Sequence, residues 1–207
     1  DLPTERQLAA TGFMRNSAWK REIEQDRFEL MIDRVNTLGT VWLGLSLGCA
    51  QCHNHKFDPI SQKEYYQLYA FFNSTVEDAE KFKYVGGEFY VRSPLVATSG
   101  GNTLVMRESG KPAETHVKVR GSFLVDGERV EPGVPAALHP ARCGEQTRLS
   151  LACWIIDDDN PLTARVTVNR YWESIFGIGL ARTSEDLGTR TEAPSHPELL
   201  DWLAVEF

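Results

Sequence analysis

Cys49-Ala50-Gln51-Cys52-His53 stands between two stretches of helical periodicity, and the rest of the chain is best understood outward from it. Two thiols separated by two residues and followed at once by a histidine form the c-type haem attachment pattern. The spacing has a chemical reason. Each thiol adds across one vinyl group on a shared edge of the macrocycle, and the short loop turns the next residue under the iron, where an imidazole serves as axial ligand. Cys49 and Cys52 are therefore the candidate covalent anchors of haem c, and His53 is the candidate iron ligand.

Rival chemistries fit less well. A structural zinc ion needs four ligands and usually a second closely spaced pair. Cys143 and Cys153 are too far from each other and from the motif in sequence to be that pair. A redox-active dithiol of the thioredoxin kind sits where a strand turns into a helix, whereas the residues before Cys49 carry helical spacing. Phe28, Met31, Ile32, Val35, Leu38, Trp42 and Leu45 recur at three- and four-residue steps, which predicts a helix running directly into Cys49. Trp42 and Tyr69 are the apolar walls expected beside a haem.

After Asp58-Pro59, Ser61 and Glu64 have capping-box spacing, and Tyr65, Leu68, Tyr69 and Phe72 follow as one helical face. Thr4 with Gln7 and Ser195 with Glu198 repeat the capping signal at the two ends of the chain, while Gly12 to Lys20 reads as loop. Between Lys81 and Leu138 the pattern becomes strand-like, in Phe89-Tyr90-Val91, Thr103-Leu104-Val105 and Thr115 to Arg120, broken by Gly and Pro. The segment Ser99-Gly100-Gly101-Asn102 reads as mobile. Helices return at about Thr147 to Ile156 and again from Asn160-Pro161, a cap and a favoured first position. That last helix should bury Leu162, Val166, Trp172, Ile175 and Phe176 and end at Gly177. The expectation is a mixed α+β chain: a helical haem-motif part over residues 1–80, a β-rich middle over 81–145 and a helical part over 146–207.

The chain has 207 residues, 42% of them hydrophobic, and a net charge of -7. Without a basic surplus there is little to neutralise a phosphate backbone, so nucleic acid is not an expected partner. The longest apolar stretch, around Val41 to Leu47, is far short of the roughly 20 residues that span a bilayer. Asp1-Leu2-Pro3-Thr4 reads as a loop already inside a domain and Leu199 to Phe207 stops in mid-helix, so a segment of a longer polypeptide is expected.

Other candidates are weaker. His55 lies too close to His53 to reach the far face of the same iron, which leaves it, with Asp58, a supporting role beside a haem or in ordering the loop. Met106 is the only methionine after His53 and ranks slightly above His116 as the distal ligand. Asp157-Asp158-Asp159 reads as a solvated helix end rather than a calcium loop, and His196 as a packing or capping residue. No catalytic residue is assigned, because no nucleophile-base order or phosphate-cradling loop rises above chance spacing.

Gly39 to Gly48, the motif, and Asn54-His55-Lys56-Phe57-Asp58-Pro59-Ile60-Ser61-Gln62-Lys63-Glu64-Tyr65-Tyr66 together closely resemble the planctomycete cytochrome-c-domain family. Asn160 to Arg170 and Pro194 to Trp202 resemble the partner domain of unknown function found downstream in such proteins, as do Thr115 to Gly121 and Gly127 to Gly133. The resemblance implies a large exported bacterial protein, often with a further haem domain upstream, and makes residues 146–207 the start of the partner domain. Cys143 and Cys153 depart from the pattern, and in an oxidising compartment they are candidates for a local disulfide. The expected function is extracytoplasmic electron transfer, alone or as one centre of a larger oxidoreductase, with a redox protein or upstream haem domain as partner. The alternatives are a non-redox scaffold linked to carbohydrate and a haem enzyme with an open iron site.

Overall fold

The computed structural model describes residues 4–15, 23–76, 78–84, 87–93, 95–98, 101–142 and 146–207. Helices α1 (Glu5–Ala10), α2 (Ile23–Leu38) and α3 (Gln62–Asn73) come first. Strands β1 (Asp78–Tyr84), β2 (Gly87–Ser93), β3 (Leu95–Thr98), β4 (Gly101–Leu104), β5 (Thr115–Lys118) and β6 (Asp126–Val130) follow, then α4 (Arg148–Ile155), α5 (Thr163–Phe176) and α6 (Pro197–Glu206). The chain is thus a mixture of helices and strands. It divides into two units, Asp1–Met31 with Asn73–Ala113, and Ile32–Phe72 with Glu114–Phe207.

In the first unit, Thr4 and Gln7 cap α1 reciprocally: the Thr4 N–H donates to Gln7 Oε1 at 2.8 Å and the Gln7 N–H to Thr4 Oγ1 at 3.3 Å. The chain then tightens into a 3-10 turn at Thr11–Arg15, where a loop was expected; residues 16–20 of that expected loop lie outside the described residues. Two antiparallel hairpins, β1–β2 and β3–β4, occupy the rest of the unit. Gly101 and Asn102 pair with Thr98 and Ala97, so half of the supposedly mobile Ser99-to-Asn102 segment is ladder, and Ser99 and Gly100 lie outside the described residues. Met106 is buried, and its N–H donates to Thr11 Oγ1 at 2.8 Å.

The second unit contains the Cys49-to-His53 segment. Helix α2 does not run into Cys49. It widens into a π-helical turn at Gly39–Leu43 and stops at Gly44, which has φ +57, and a 3-10 turn at Leu47–Gln51 begins afterwards. Gly44 is required twice. Its backbone occupies the left-handed region that side chains disfavour, and a Cβ there would stand 2.6 Å from Val166 Cγ2 and 2.8 Å from Leu187 Cδ1. Helix α3 is buried on more than one face, because Tyr66, Ala70 and Phe71 are covered as well as the expected Tyr65, Leu68, Tyr69 and Phe72. Its capping box forms as expected: the Ser61 N–H donates to Glu64 Oε2 at 2.7 Å and the Glu64 N–H to Ser61 Oγ at 3.2 Å.

Asn160 joins α4 to α5. Its amide donates to the Trp154 and Ile155 carbonyls at 3.3 and 3.1 Å, while its Oδ1 accepts the Leu162 N–H at 3.0 Å. Helix α5 therefore starts at Thr163, slightly later than the sequence suggests, and ends as expected at Gly177, with φ +83. Val168, Leu180 and Leu200 form the core between α5 and α6 with Trp172 and Leu203 against them. Ile175 and Phe176, expected inside, are 73% and 62% exposed, because α6 meets the Val168 side of the helix. The expected Ser195–Glu198 box does not form either. Pro197 takes the first helical position, which makes His196 the cap residue, and the Ser195 N–H and hydroxyl donate to the Leu180 carbonyl at 2.8 and 3.2 Å.

Two predictions follow from these contacts. Gly44→Ala should lower stability by about 2–4 kcal/mol in urea denaturation, combining a left-handed backbone with overpacking. Gly177→Ala, at similarly positive φ but with nothing within 4 Å of its Cβ, should cost only about 1–2 kcal/mol; equal costs would show that Val166 and Leu187 yield freely. The second concerns Glu64. Burial opposes its charge, yet hydrogen bonds from the Ser61 and Ala136 N–H groups and the Ser61 hydroxyl hold its carboxyl below 4.5. A depressed folded value means stability present above 4.5 and lost as pH falls through the folded value. Glu64→Gln should cost about 1 kcal/mol at neutral pH and flatten the acid side of the stability curve, and parallel curves for the two proteins would refute this.

Candidate functional site

The Cys49-to-His53 motif begins in a 3-10 turn, Leu47–Gln51, which Cys52 caps. Leu47 and Ala50 face inward, and Leu47 packs over Gly39, where a Cβ would meet its Cγ at 2.6 Å. In a 3-10 turn, side chains three residues apart eclipse one another. Cys49 and Cys52 have that separation, the Cys52 N–H returns to the Cys49 carbonyl at 3.4 Å, and both cysteines are exposed and free. Both thiols are thus open to solvent at the end of this turn.

His53 is exposed beside them. Its Nδ1 lies 2.7 Å from the Asn54 carbonyl, which can only accept, so Nδ1 carries the proton and the lone pair is left on Nε2. A ligating imidazole is commonly held in this way, by a carbonyl on its other nitrogen. Asn54 Oδ1 in turn accepts the Gln62 N–H at 2.9 Å, which fixes the residue against the start of α3.

Two side chains, Gln62 and Tyr66, hold the turn through the Gln51 carbonyl, and a third, Tyr65, ties α3 to α2. Gln62 Nε2 donates both to the Gln51 carbonyl at 3.0 Å and to the Lys118 carbonyl of β5 at 3.1 Å. The Tyr66 hydroxyl donates to the same Gln51 carbonyl at 3.0 Å, and the Tyr65 hydroxyl to Asn36 Oδ1 at 3.2 Å. Burial raises the phenol values of both tyrosines, with the nearby Cys52 adding to the effect, so they remain neutral donors. Gly121, at φ +73 in the turn after β5, lies against the sulfur: a Cβ there would be 2.7 Å from Cys52 Sγ.

His55 and Asp58 order the following loop. His55 Nδ1 accepts the Asp58 N–H at 2.8 Å, so it cannot also donate to the Asp58 carboxylate 3.3 Å away. Asp58 Oδ1 accepts the Thr189 N–H at 2.7 Å, and the Thr189 hydroxyl lies 2.9 Å from the Phe57 carbonyl. Gly188 permits this contact, since a Cβ would fall 2.6 Å from both carboxylate oxygens. Phe57 is exposed between Lys56 Nζ and the Arg190 guanidinium, 5.1 and 5.6 Å from its ring centroid. The Arg190 value is raised, first by its hydrogen bond to Asp186 and then by its charge neighbours, including Cys49.

The remaining candidates are dispersed. His116 is on β5 in the same unit as the motif, half-buried, with Nε2 3.6 Å from the Glu114 carboxylate; Met106 belongs to the first unit. Tyr69 is buried against Tyr66, ring centroids 5.8 Å apart, and forms no open wall. Asp157 and Asp159 pair with Arg142, and His196 Nδ1 lies 3.1 Å from Ser195 Oγ. Cys153 is a free, half-buried thiol on α4, and Cys143 lies outside the described residues. Among the described residues, no group of three or more His, Cys, Asp or Glu side chains is gathered as a metal site, and no helix is long and apolar enough to cross a membrane. Sequence reasoning missed Gln62, Tyr66, Gly121 and Thr189, whose partners are remote in the chain and leave no local signal.

Two family matches bracket the chain. Residues 1–77 match PSCyt2, a "Protein of unknown function (DUF1549)", and residues 147–207 match PSD1, a "Protein of unknown function (DUF1553)". No curated protein and no solved structure matches it. The motif turn is inside the first matched span and the Gly188–Thr189 pair inside the second, so the chain carries matches to both members of the planctomycete cytochrome-c-associated pair of domains of unknown function.

Proposed function

We propose that the chain is an extracytoplasmic c-type haem protein that transfers electrons, as a redox module or as one centre of a larger oxidoreductase. The observation that carries the reading is the motif turn itself: two exposed thiols three residues apart at a 3-10 turn, followed by an imidazole whose Nδ1–H is tied to a carbonyl 2.7 Å away. Those residues fit the group. Cys49 and Cys52 would hold it by thioethers and His53 Nε2 would ligate the iron. When bound, haem c supplies one-electron chemistry between ferric and ferrous iron. The polypeptide's part is to orient the turn through Gln62 and Tyr66 and to fix the His53 tautomer through Asn54. Covalent haem attachment places the chain outside the cytoplasm, and a redox protein or an upstream haem domain is the fitting partner.

A second reading, a binding or scaffold protein, has one supporting feature. A cleft of about 380 Å³ between α5, α6 and the 187–194 segment is lined by Arg165, Glu192 and Asp201 among apolar Leu162, Leu187 and Leu200, the mixture small-molecule sites use.

Expression in a host that matures c-type haem should give a coloured protein whose haem stain survives denaturing electrophoresis. Cys49→Ala with Cys52→Ala should abolish that stain, and each single change should weaken it; a persistent stain in the double variant refutes thioether attachment. A reversible one-electron wave with no cyanide response supports electron transfer, whereas cyanide binding to the ferric form supports an open-site enzyme, and a protein with no cofactor supports the scaffold.

The distal ligand is tested separately. Met106→Ala should turn a low-spin ferric spectrum high-spin and lower the midpoint potential, since loss of a thioether ligand destabilises the ferrous state. If His116→Ala alters the spectrum and Met106→Ala does not, His116 is the ligand.

A further inference from the structure

The β5–β6 turn carries an apolar surface with no role in the fold. Val119, Leu124 and Val125 are 43%, 76% and 49% exposed, although a short turn between strands normally carries polar residues. The turn is nonetheless well defined: the Val119 N–H donates to the Val125 carbonyl at 3.0 Å, the Ser122 N–H to the Val119 carbonyl at 3.1 Å and the Val125 N–H to the Ser122 carbonyl at 3.2 Å. Arg120 within it has φ 54, a left-handed conformation that is strained for a residue with a Cβ. A rigid, partly strained turn that presents three branched apolar side chains to solvent needs an explanation outside packing.

Its position supplies one. Gly121 is in the same turn, and a Cβ there would stand 2.7 Å from Cys52 Sγ, so the turn that carries these apolar residues lies against the sulfur that would bear a thioether. Gln62 holds the turn and the motif together by donating to Lys118 and Gln51 at once, and the ion pair of Lys63 with Glu128 at 2.8 Å ties the hairpin to α3 again. The vinyl edge of a porphyrin is apolar, and a group attached at Cys52 must extend from that sulfur across its surroundings. All of these hairpin residues lie outside the two matched spans, 1–77 and 147–207.

We infer that Val119, Leu124 and Val125 form the apolar wall that the haem at Cys52 packs against, and that Gly121 is without a side chain so that the sulfur and the macrocycle edge can approach the turn. This rests on the haem reading above. Packing on the wall buries surface that is otherwise wet, so the wall contributes more to the stability of the loaded protein than to that of the unloaded chain.

The test is a cycle of four proteins: wild type and Leu124→Ser with Val125→Ser, each made with and without haem maturation, followed by thermal melting, with haem-peptide mass spectrometry on the loaded forms. In the unloaded chain the double change should move the melting temperature much less than in the loaded one, because Leu124 is 76% and Val125 49% exposed there. In the loaded protein it should remove most of the gain that haem confers and lower the midpoint potential through greater exposure of the haem. Gly121→Ala provides an independent arm, with the thioether expected to persist at Cys49 and to fall at least several-fold at Cys52. Equal melting shifts with and without haem, together with undiminished attachment at Cys52 in Gly121→Ala, overturn the wall. If the wild type takes up no haem, the functional reading itself fails, an outcome that differs from a loaded protein indifferent to the wall.

Discussion

The second unit depends on how the broken end of α2 is satisfied. When the helix widens at Gly39–Leu43 and stops at Gly44, the last carbonyls lose their helical partners, and buried carbonyls must find others. Arg170, on α5, supplies them: Nη2 donates to Thr40 at 2.6 Å and Nη1 to Val41 at 2.9 Å, while the Leu187 N–H donates to Gly44 at 2.6 Å. A guanidinium suits the place because its planar fork serves two acceptors and its charge is favourable at a helix C-terminus. A lysine has the charge without the fork. The start of the motif segment is thereby fastened to the C-terminal part of the chain, by contacts that join one matched domain to the other.

What could be read from the sequence was whatever repeats or caps locally. The α3 stripe from Tyr65 to Phe72, the Thr4–Gln7 and Ser61–Glu64 boxes, and the stop at Gly177 each depend on residues within a few positions of one another. The failures have the opposite character. The periodicity of α2 continues through Trp42 and Leu45 in the sequence, because Leu45 is buried by the turn that follows Gly44 rather than by a continuing helix. Pro197 displaced the Ser195 cap by one residue, and α6 docking on the Val168 side left Ile175 and Phe176 outside.

The candidate site divides along the same line. Cys49, Cys52 and His53 were singled out by their spacing alone, and the structure adds their exposure and the Asn54 carbonyl on His53 Nδ1. His55 and Asp58 stood out as neighbours of the motif, yet the Asp58 partners Thr189 and Gly188 are more than a hundred positions away and give no signal in the sequence around it. Gln62 looked like one more polar residue at the start of a helix. Its importance lies in donating to two carbonyls that the fold alone brings together.

These remote supports bear on how the motif turn can work. A five-residue 3-10 turn has few hydrogen bonds of its own, and an isolated peptide of this sequence would sample many arrangements of its thiols. Here the Gln51 carbonyl is held by Gln62 and Tyr66, Asn54 is held by the first turn of α3, and Cys52 Sγ rests on Gly121. The ordering entropy of the turn is therefore met when the unit folds, before anything is attached to the cysteines. A group joined at that point would meet two exposed thiols on a backbone already held in place, and the free energy of attachment need not be spent on ordering it. That preorganisation belongs to the tertiary structure, which is why a motif of five residues lies inside a unit built from two separate stretches of the chain, Ile32–Phe72 and Glu114–Phe207.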